Sequence, residues 1–198
     1  MDITADMVKE LRQRTGIGVM ECKDALAECH GDIEKAIAVL RKKGAARAQE
    51  RMERETSQGI VHSYIHMEGK LGVLVEVNCE SDFVARNQEF KDLAKNIAMQ
   101  IAAANPRFIS SADIPAEELE AEKEIIRGQL QDMKKPPQII EKIVEGKLKK
   151  YFEEVCLLNQ AYIKDDKITI QELVASTIAK FGENIKVRRF ARFELGKN

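Results

Sequence analysis

A predicted strand, a short polar turn and the start of a predicted helix follow one another in Gly72-Val73-Leu74-Val75-Glu76-Val77-Asn78-Cys79-Glu80-Ser81-Asp82-Phe83-Val84-Ala85-Arg86-Asn87. Residues 72–78 alternate between two faces and are rich in valine, which predicts a β-strand. Beyond the turn, apolar residues recur at helical spacing and predict an amphipathic helix. They are Phe90, Leu93, Ala94, Ile97, Ala98 and Ile101.

The turn between these two elements carries an acid, a large aromatic and a base, and two interpretations of it are open. In the first, Phe83 packs into the core and Asp82 caps the helix. In the second, the turn presents these side chains to a partner, as loops on rigid supports often do. Composition alone favours the first interpretation.

Overall composition limits the classes of function. The 198 residues include 32 Lys and Arg and 33 Asp and Glu, so the chain has no net field that would attract a polyanion. Nucleic-acid binding by overall charge is therefore not indicated. Charged residues make up 33% and apolar residues 44%, which is typical of a soluble, helix-rich protein.

Neither a disulfide framework nor an export signal is predicted. Cys22, Cys29, Cys79 and Cys156 form no CxxC pair, which indicates reduced thiols rather than metal ligands. The first six residues lack the basic and apolar regions of a signal peptide. No run approaches the roughly 18 apolar residues of a membrane helix. We expect a cytoplasmic protein without membrane contact.

Four segments are predicted from residue patterns. Residues 1–45 form a module of three helices, capped at Thr4 and Asp32, broken at residues 15–18 and ending at Gly44. Residues 46–57 form a charged linker, which is either helical or extended. Residues 58–112 together with 156–198 form an α+β core, and residues 113–155 form an inserted helical hairpin.

A β-hairpin opens the predicted core, with strands at residues 59–66 and 71–79 joined by residues 67–70. His62 and His66 share a face of the first strand. Residues four apart in a strand are separated by about 13 Å, too far for both to bind one ion. No metal site or cofactor is predicted.

The inserted hairpin carries narrow apolar stripes between charged flanks. Ile126, Leu130 and Met133 mark its first arm, Lys134-Lys135-Pro136-Pro137 its turn, and Ile140, Val144, Leu148, Tyr151 and Val155 its return arm. Such a pair of helices contributes little to a common core, and we expect it to protrude. It serves either dimerisation or no function beyond the fold.

The last part of the chain supplies a third strand. Residues 157–163 form a short strand or a loop, and Thr169-Ile170-Gln171-Glu172 is a capping box that opens a helix closed at Gly182. The strand at residues 185–195 can pair only with the hairpin. Arg188, Arg189 and Arg192 form either a nucleic-acid surface or a set of solvated side chains, and the second is expected on an exposed sheet face. The predicted fold is α+β, with a three-stranded antiparallel sheet packed with helices.

Signatures of catalysis are missing. The sequence has no GxxxxGK[ST], GxGxxG, HExxH or GxSxG motif, so an enzyme is the weakest functional class.

Four blocks, in order along the chain, resemble bacterial elongation factor Ts. They are TGIGVMECKDAL (residues 15–26), EVNCESDFVARN (76–87), IVEGKLKK (143–150) and GENIKVRRF (182–190). The resemblance implies guanine-nucleotide exchange on elongation factor Tu, in its GDP-bound and nucleotide-free forms, without covalent chemistry or a cofactor. It also implies that residues 1–45 adopt a ubiquitin-associated-like fold and that the helical hairpin is a coiled-coil arm.

The resemblance assigns partner contacts. Asp82 and Phe83 would intrude, with Phe83 wedged between helices of the partner's nucleotide domain and disturbing its magnesium and phosphate site. Ser81 and Val84 belong to the same motif, and His66 matches a histidine that contacts the same domain. Val19, Met20 and Lys23 would form the docking face of the N-terminal module.

This chain resembles the short members of the family, which have one core and can pair two copies, so a homodimer is expected. Ser81 stands where Thr is usual, and Ala161 stands where Pro is common. The competing classes are a ubiquitin-associated-type adaptor without exchange activity and an RNA-binding translation protein. Near-zero net charge argues against the second.

Overall fold

The computed structural model describes residues 3–130 and 136–197. The helices are α1 (Ala5–Thr15), α2 (Val19–Glu28), α3 (Ile33–Arg51), α4 (Asp82–Arg86), α5 (Gln88–Ala104), α6 (Ala116–Leu130), α7 (Pro137–Val155) and α8 (Ile170–Phe181). The strands are β1 (Gln58–His66), β2 (Leu71–Cys79), β3 (Ala161–Tyr162), β4 (Asp165–Thr169) and β5 (Ile185–Glu194). Single 3₁₀ turns lie at Met67–Gly69, Ser111–Asp113 and Leu157–Asn159.

The predicted α+β class is confirmed. Strands β1, β2 and β5 form a three-stranded antiparallel sheet with β2 in the centre, and β3 pairs with β4 in a second, smaller sheet. The structure comprises two compact units. The first is drawn from Met1–Ile60, Val77–Leu93 and Glu172–Lys186, and the second from Val61–Glu76, Ala94–Gln171 and Val187–Asn198.

Helices α1, α2 and α3 of the first unit begin and end as their sequences predict, with one exception. The hydroxyl of Thr4 accepts a hydrogen bond from the Met7 amide at 3.3 Å, and the carboxylate of Asp32 accepts one from the Lys35 amide at 3.0 Å. Gly16 ends α1 in the left-handed region at φ 70°, where glycine has no steric penalty. The helices enclose a small core of Val8, Leu11, Cys22, Ala25, Leu26, Ala36 and Leu40.

The exception is the end of α3, because the prediction that Gly44 ends this helix is wrong. The helix continues through Gly44 to Arg51 and takes in part of the predicted charged linker. A Cβ atom at Gly44 would lie 3.1 Å from the Cβ of Ala179 on α8. Gly44 therefore allows another helix to approach, and it does not serve as a helix stop.

Strand β2 and helix α5 each bury the apolar face that their sequence pattern predicts. Every second residue of β2 is buried, namely Leu71, Val73, Val75, Val77 and Cys79. Phe90, Leu93, Ala94, Ile97, Ala98 and Ile101 of α5 are at most 4% exposed. The predicted helical face is thereby confirmed.

In the second unit, α6 and α7 pack through the predicted stripes. Ile126 and Leu130 meet Val144 and Leu148 in a small apolar cluster. Met133, Lys134 and Lys135, which the sequence places in the same hairpin, lie outside the described residues. At one end of the pair, Glu118 accepts hydrogen bonds from Tyr151 at 2.8 Å and from Arg107 at 2.6 Å.

Residues 157–169 form a 3₁₀ turn followed by the β3–β4 hairpin, where the sequence left strand and loop open. Gln100, which is buried, holds this segment from α5. Its amide nitrogen donates to the Ala161 carbonyl at 3.1 Å, and its amide oxygen accepts from the Ile163 amide at 2.9 Å. The segment at Ala161 is thus fixed by pairing and by a buried amide.

One face of the sheet in the second unit is apolar and exposed, and we call it the outer face. Its side chains are Val61, Ile65, Leu74, Phe193 and Leu195. The face contains a groove of about 600 Å³, whose lining includes Ile65, Gly72, Leu74, Phe193 and Leu195. The prediction that Arg192 is solvated is wrong. Its side chain is largely buried, and it donates to Glu194 at 2.8 Å and to the Ala102 carbonyl at 3.4 Å.

Within the described ranges, no helix has the length and apolar character needed to cross a membrane.

Candidate partner-binding site

The site predicted around Phe83 lies on one short helix between β2 and α5. Ser81 has extended backbone angles and its hydroxyl accepts from the Val84 amide at 3.3 Å, so it caps α4. The side chain of Asn87 accepts from the Glu89 amide at 2.9 Å and caps the start of α5. Ser81 and Asn87 therefore fix the starts of two successive helices. We call residues 80–86 the Phe83 turn.

Phe83 is the most exposed large apolar side chain in the described part of the chain, at 82%. The interpretation that it packs into the core is therefore wrong. Val84, at 3% exposed, and Ala85 point into the protein instead and anchor the helix. Asp82 does not cap the helix, since its carboxylate pairs with Arg86 one turn later at 2.8 Å.

Glu183 holds the beginning of the Phe83 turn. One of its carboxylate oxygens accepts from the Ser81 amide at 2.9 Å, and the other accepts from the Ser81 hydroxyl at 2.5 Å. Both oxygens of one carboxylate thus fix one residue. No local sequence pattern indicates a role for Glu183, and its one distinguishing feature in the sequence is its position inside the block at residues 182–190.

Asn184, next along the chain, is fully buried and connects two further segments. Its backbone amide donates to the carboxylate of Glu80 at 2.5 Å. Its side-chain nitrogen donates to the carbonyls of Met52 at 3.3 Å and Arg54 at 2.8 Å, in the turn that follows α3. Residues 183 and 184 therefore join the Phe83 turn to the end of α3.

Cys79 lies beneath the Phe83 turn. Its side chain is fully buried, and its thiol donates to the Ser81 carbonyl at 3.2 Å. Burial, with a smaller contribution from the charge of Glu183, raises the pKa of Cys79 to about 11. The thiol is therefore protonated at neutral pH and acts as a hydrogen-bond donor, not as a nucleophile.

Val19, Met20 and Lys23 share one exposed face of α2, since they are spaced three and four residues apart. Met20 is 66% exposed, which is unusual for a methionine in a small helical module. Beside them, Glu21 pairs with Arg47 of α3 at 2.8 Å. These residues belong to the same compact unit as the Phe83 turn.

His66 is exposed at the end of β1 and belongs to the second unit. Its ring stacks on Tyr64, with 5.7 Å between ring centroids and 19° between planes. The Tyr64 hydroxyl lies 3.1 Å from Nδ1 of His66. The predicted set is thus divided, with seven residues in the first unit and His66 in the second.

The exposed side chain of Phe83 gives this site a surface that can contact a partner. Over residues 3–130 and 136–197, no three or more His, Cys, Asp or Glu side chains come together to hold a metal ion. A large exposed aromatic on an anchored base is the kind of side chain that fills a pocket on a partner.

Comparison with known proteins identifies the family. The sequence model described as Elongation factor TS matches residues 5–197. The chain is 59% identical to Elongation factor Ts of Thermodesulfovibrio yellowstonii over 197 residues, covering all of this chain and 98% of that protein. It is 56% identical to Elongation factor Ts of Desulfosudis oleivorans over 195 residues, covering 98% of each. Identity to Elongation factor Ts of Fervidobacterium nodosum is 54%, with both chains fully covered.

These matches fall in one class, the elongation factors of protein synthesis. The chain belongs to the elongation factor Ts family. The family predicted from the four sequence blocks is thereby confirmed.

Proposed function

We propose that this protein is a guanine-nucleotide exchange factor for elongation factor Tu and acts in the cytoplasm during translation elongation. It binds the GDP-bound form, promotes GDP release and remains bound to the nucleotide-free form, without covalent chemistry. Membership of the elongation factor Ts family supports elongation factor Tu as the partner. The observation that carries the proposal in this chain is the exposure of Phe83 on a turn whose base is buried and capped.

Phe83 acts as a wedge. It enters between helices of the partner's nucleotide domain and disturbs the magnesium and phosphate site, while Asp82 contacts the rim of the same groove. Val84 contributes from the buried side of α4, because its side chain anchors the helix in the protein while Phe83 is inserted. Ser81 contributes by capping the helix that carries the wedge.

One aromatic side chain does not account for exchange. Shifting a partner from 1:99 to 99:1 takes about 5.5 kcal/mol of differential affinity. Burial of one aromatic contributes about 2–3 kcal/mol. The remainder comes from Asp82, from His66 and from the docking face of residues 1–45, where Val19 and Met20 supply exposed apolar area and Lys23 a charge.

A homodimer is also part of this proposal, formed by the outer face of two copies. The described carboxylates that border this face are already paired: Glu76 lies 2.7 Å from Arg189, and Glu194 lies 2.8 Å from both Arg192 and Lys197. A two-fold interface uses the same patch on both copies, so an apolar face whose bordering carboxylates are already paired can pack against its own copy. Phe193 and Leu195 are the most exposed apolar residues of the face.

Binding measurements separate exchange from the competing classes. Because linkage is reciprocal, a factor that weakens GDP binding must itself be bound less tightly when GDP is present. We expect this protein to bind nucleotide-free elongation factor Tu much more tightly than the GDP-loaded form. Equal affinity for the two forms indicates an adaptor and contradicts the proposal. Tight binding to RNA with a steep dependence on salt concentration indicates the RNA-binding class.

A further inference from the structure

We propose that Glu183 and Asn184 are positioning residues for exchange, which hold Phe83 at a fixed place relative to the end of α3. This inference rests on the proposed function. The two residues form the turn between α8 and β5, and we call them the clasp. All the contacts that carry the inference lie within the first unit.

Glu183 fixes the side of the clasp that faces Phe83. The first amides of a helix lack partners within the helix, and Ser81, as the capping residue, must find a partner for its own amide outside α4. Glu183 accepts from that amide at 2.9 Å and from the Ser81 hydroxyl at 2.5 Å. Hydrogen bonds to an ionised carboxylate are stronger than those between neutral groups. Two of them restrict rotation of the residue from which α4 begins.

Asn184 fixes the opposite side. Its side-chain nitrogen donates to the Met52 and Arg54 carbonyls, and its backbone amide donates to Glu80. Glu80 also lies 3.6 Å from Arg54. The turn after α3 and the residue before Ser81 are therefore held by the same buried asparagine.

The preceding turn of α8 supports both sides of the clasp. Ala179 packs where Gly44 of α3 leaves room, and Lys180 pairs with Glu89 of α5 at 2.7 Å. The chain thus forms a continuous set of contacts from α3, through the end of α8, to Ser81.

The consequence is preorganisation. Ordering a loop or a side chain at the moment of binding costs free energy that would otherwise favour the complex. With the clasp closed, docking of the helical module brings Phe83 to the partner already oriented. With the clasp open, the module still docks, but Phe83 must be ordered afterwards. Opening the clasp is therefore expected to lower the maximal rate of GDP release. It should change much less the concentration of factor at which the rate is half-maximal.

The test is a double-mutant cycle of Glu183→Ala and Phe83→Ala, measured as GDP release from elongation factor Tu at saturating factor. Loss of hydrogen bonds to a charged group corresponds to about a tenfold effect, so Glu183→Ala is expected to lower the maximal rate by about tenfold. In the Phe83→Ala background, Glu183→Ala is expected to have little further effect, since residues that act through one another are not additive. Equal losses in the two backgrounds, or no loss in either, would overturn the inference.

A matched variant serves as the control. Glu34→Ala removes another ion-paired glutamate of the first unit, one that pairs with Arg14 at 2.6 Å and is not among the clasp contacts. It is expected to retain the wild-type rate. A loss with Glu34→Ala equal to that with Glu183→Ala would show a general effect of charge and would contradict the clasp.

A measurement on the free protein separates this inference from the function on which it rests. Hydrogen exchange of the Ser81 amide is expected to be about tenfold faster in Glu183→Ala, with the amides of β2 unchanged. An unchanged Ser81 amide overturns the clasp even if the wild-type protein releases GDP. If the wild-type protein fails to release GDP, the proposed function is wrong, whatever the amide does.

Discussion

Phe83 and Val84 are neighbours in the chain with opposite environments: the side chain of Phe83 is 82% exposed and that of Val84 is 3% exposed. Both residues lie on α4, a short helix capped by Ser81, and their side chains point to different faces of it. The buried face fixes the helix and the exposed face is free to enter a partner. Because Phe83 makes so little contact within its own chain, it can be tested without disturbing the fold.

Replacing Phe83 with alanine is expected to slow stimulated GDP release by about 30- to 150-fold, which corresponds to the 2–3 kcal/mol that burial of an aromatic contributes. The free energy of unfolding should change by less than about 0.5 kcal/mol, as for most surface substitutions. Stopped-flow release of labelled GDP and denaturant unfolding measure the two quantities. Ile125→Ala, at an exposed apolar position on α6, is the matched control and should leave release unchanged. Release at the wild-type rate by Phe83→Ala would show that the wedge is assigned to the wrong residue.

Asn184 gives a graded prediction for stability. Asn184→Ala removes two donated hydrogen bonds from a buried site and is expected to cost about 1–3 kcal/mol. Asn184→Asp keeps the shape but places a carboxylate against the Met52 and Arg54 carbonyls, and it should cost about 3–5 kcal/mol at neutral pH. Urea unfolding of the three proteins gives the order. If the aspartate variant is as stable as the wild type, the side chain does not donate to these carbonyls.

The outer face predicts the oligomeric state. Phe193→Asp places a charge in the middle of the proposed two-fold interface, where it would face its own copy, and is expected to halve the mass of the protein in solution. Phe83→Ala alters an aromatic elsewhere that is even more exposed, and it should leave the mass unchanged. Light scattering after size exclusion measures both. A wild-type protein that runs as a monomer rejects the proposed interface, as does a Phe193→Asp variant that remains a dimer.

Burial of Cys79 predicts a dependence of stability on pH. The pKa of this thiol is raised from 9.0 to about 11 in the folded protein. Between these values the folded chain keeps a proton that the unfolded chain loses, so the contribution of Cys79 to stability is complete below about pH 9 and declines as the pH rises toward 11. The difference in free energy of unfolding between the wild type and Cys79→Ala should therefore shrink across this window. A constant difference would mean that the thiol is not protected from ionisation.

Local patterns predicted those parts of the fold that local interactions decide. The β1–β2 hairpin, the caps at Thr4 and Asp32, and the buried face of α5 depend on residues close together in the chain. In each case period, turn chemistry and capping indicate the same structure, which is the condition for prediction from sequence.

The features that the sequence did not predict depend on contacts between residues that lie far apart in the chain. Gly44 has the local pattern of a helix end, yet α3 continues through it, and the missing side chain leaves room for Ala179 of α8. Glu183 acts on Ser81, a residue 102 positions earlier in the chain, and no local pattern records such a contact. In β5, alternation separated two sets of side chains but could not show that Phe193 is exposed and Arg192 largely buried, because that depends on what covers each face.

The exposure of Phe83 belongs to the same group. A single aromatic residue next to a strand is typical of a core position, so composition alone favoured the interpretation that Phe83 is buried. Only the four blocks that resemble a family indicated the opposite, and the structure agrees with them.

Release of labelled GDP from elongation factor Tu, followed in time with and without this protein, is the decisive measurement of the proposed exchange activity. We predict that release is slow for elongation factor Tu alone, that it accelerates with the concentration of this protein until it saturates, and that Phe83→Ala removes most of the acceleration. A release rate that does not change when this protein is added in excess would contradict the claim.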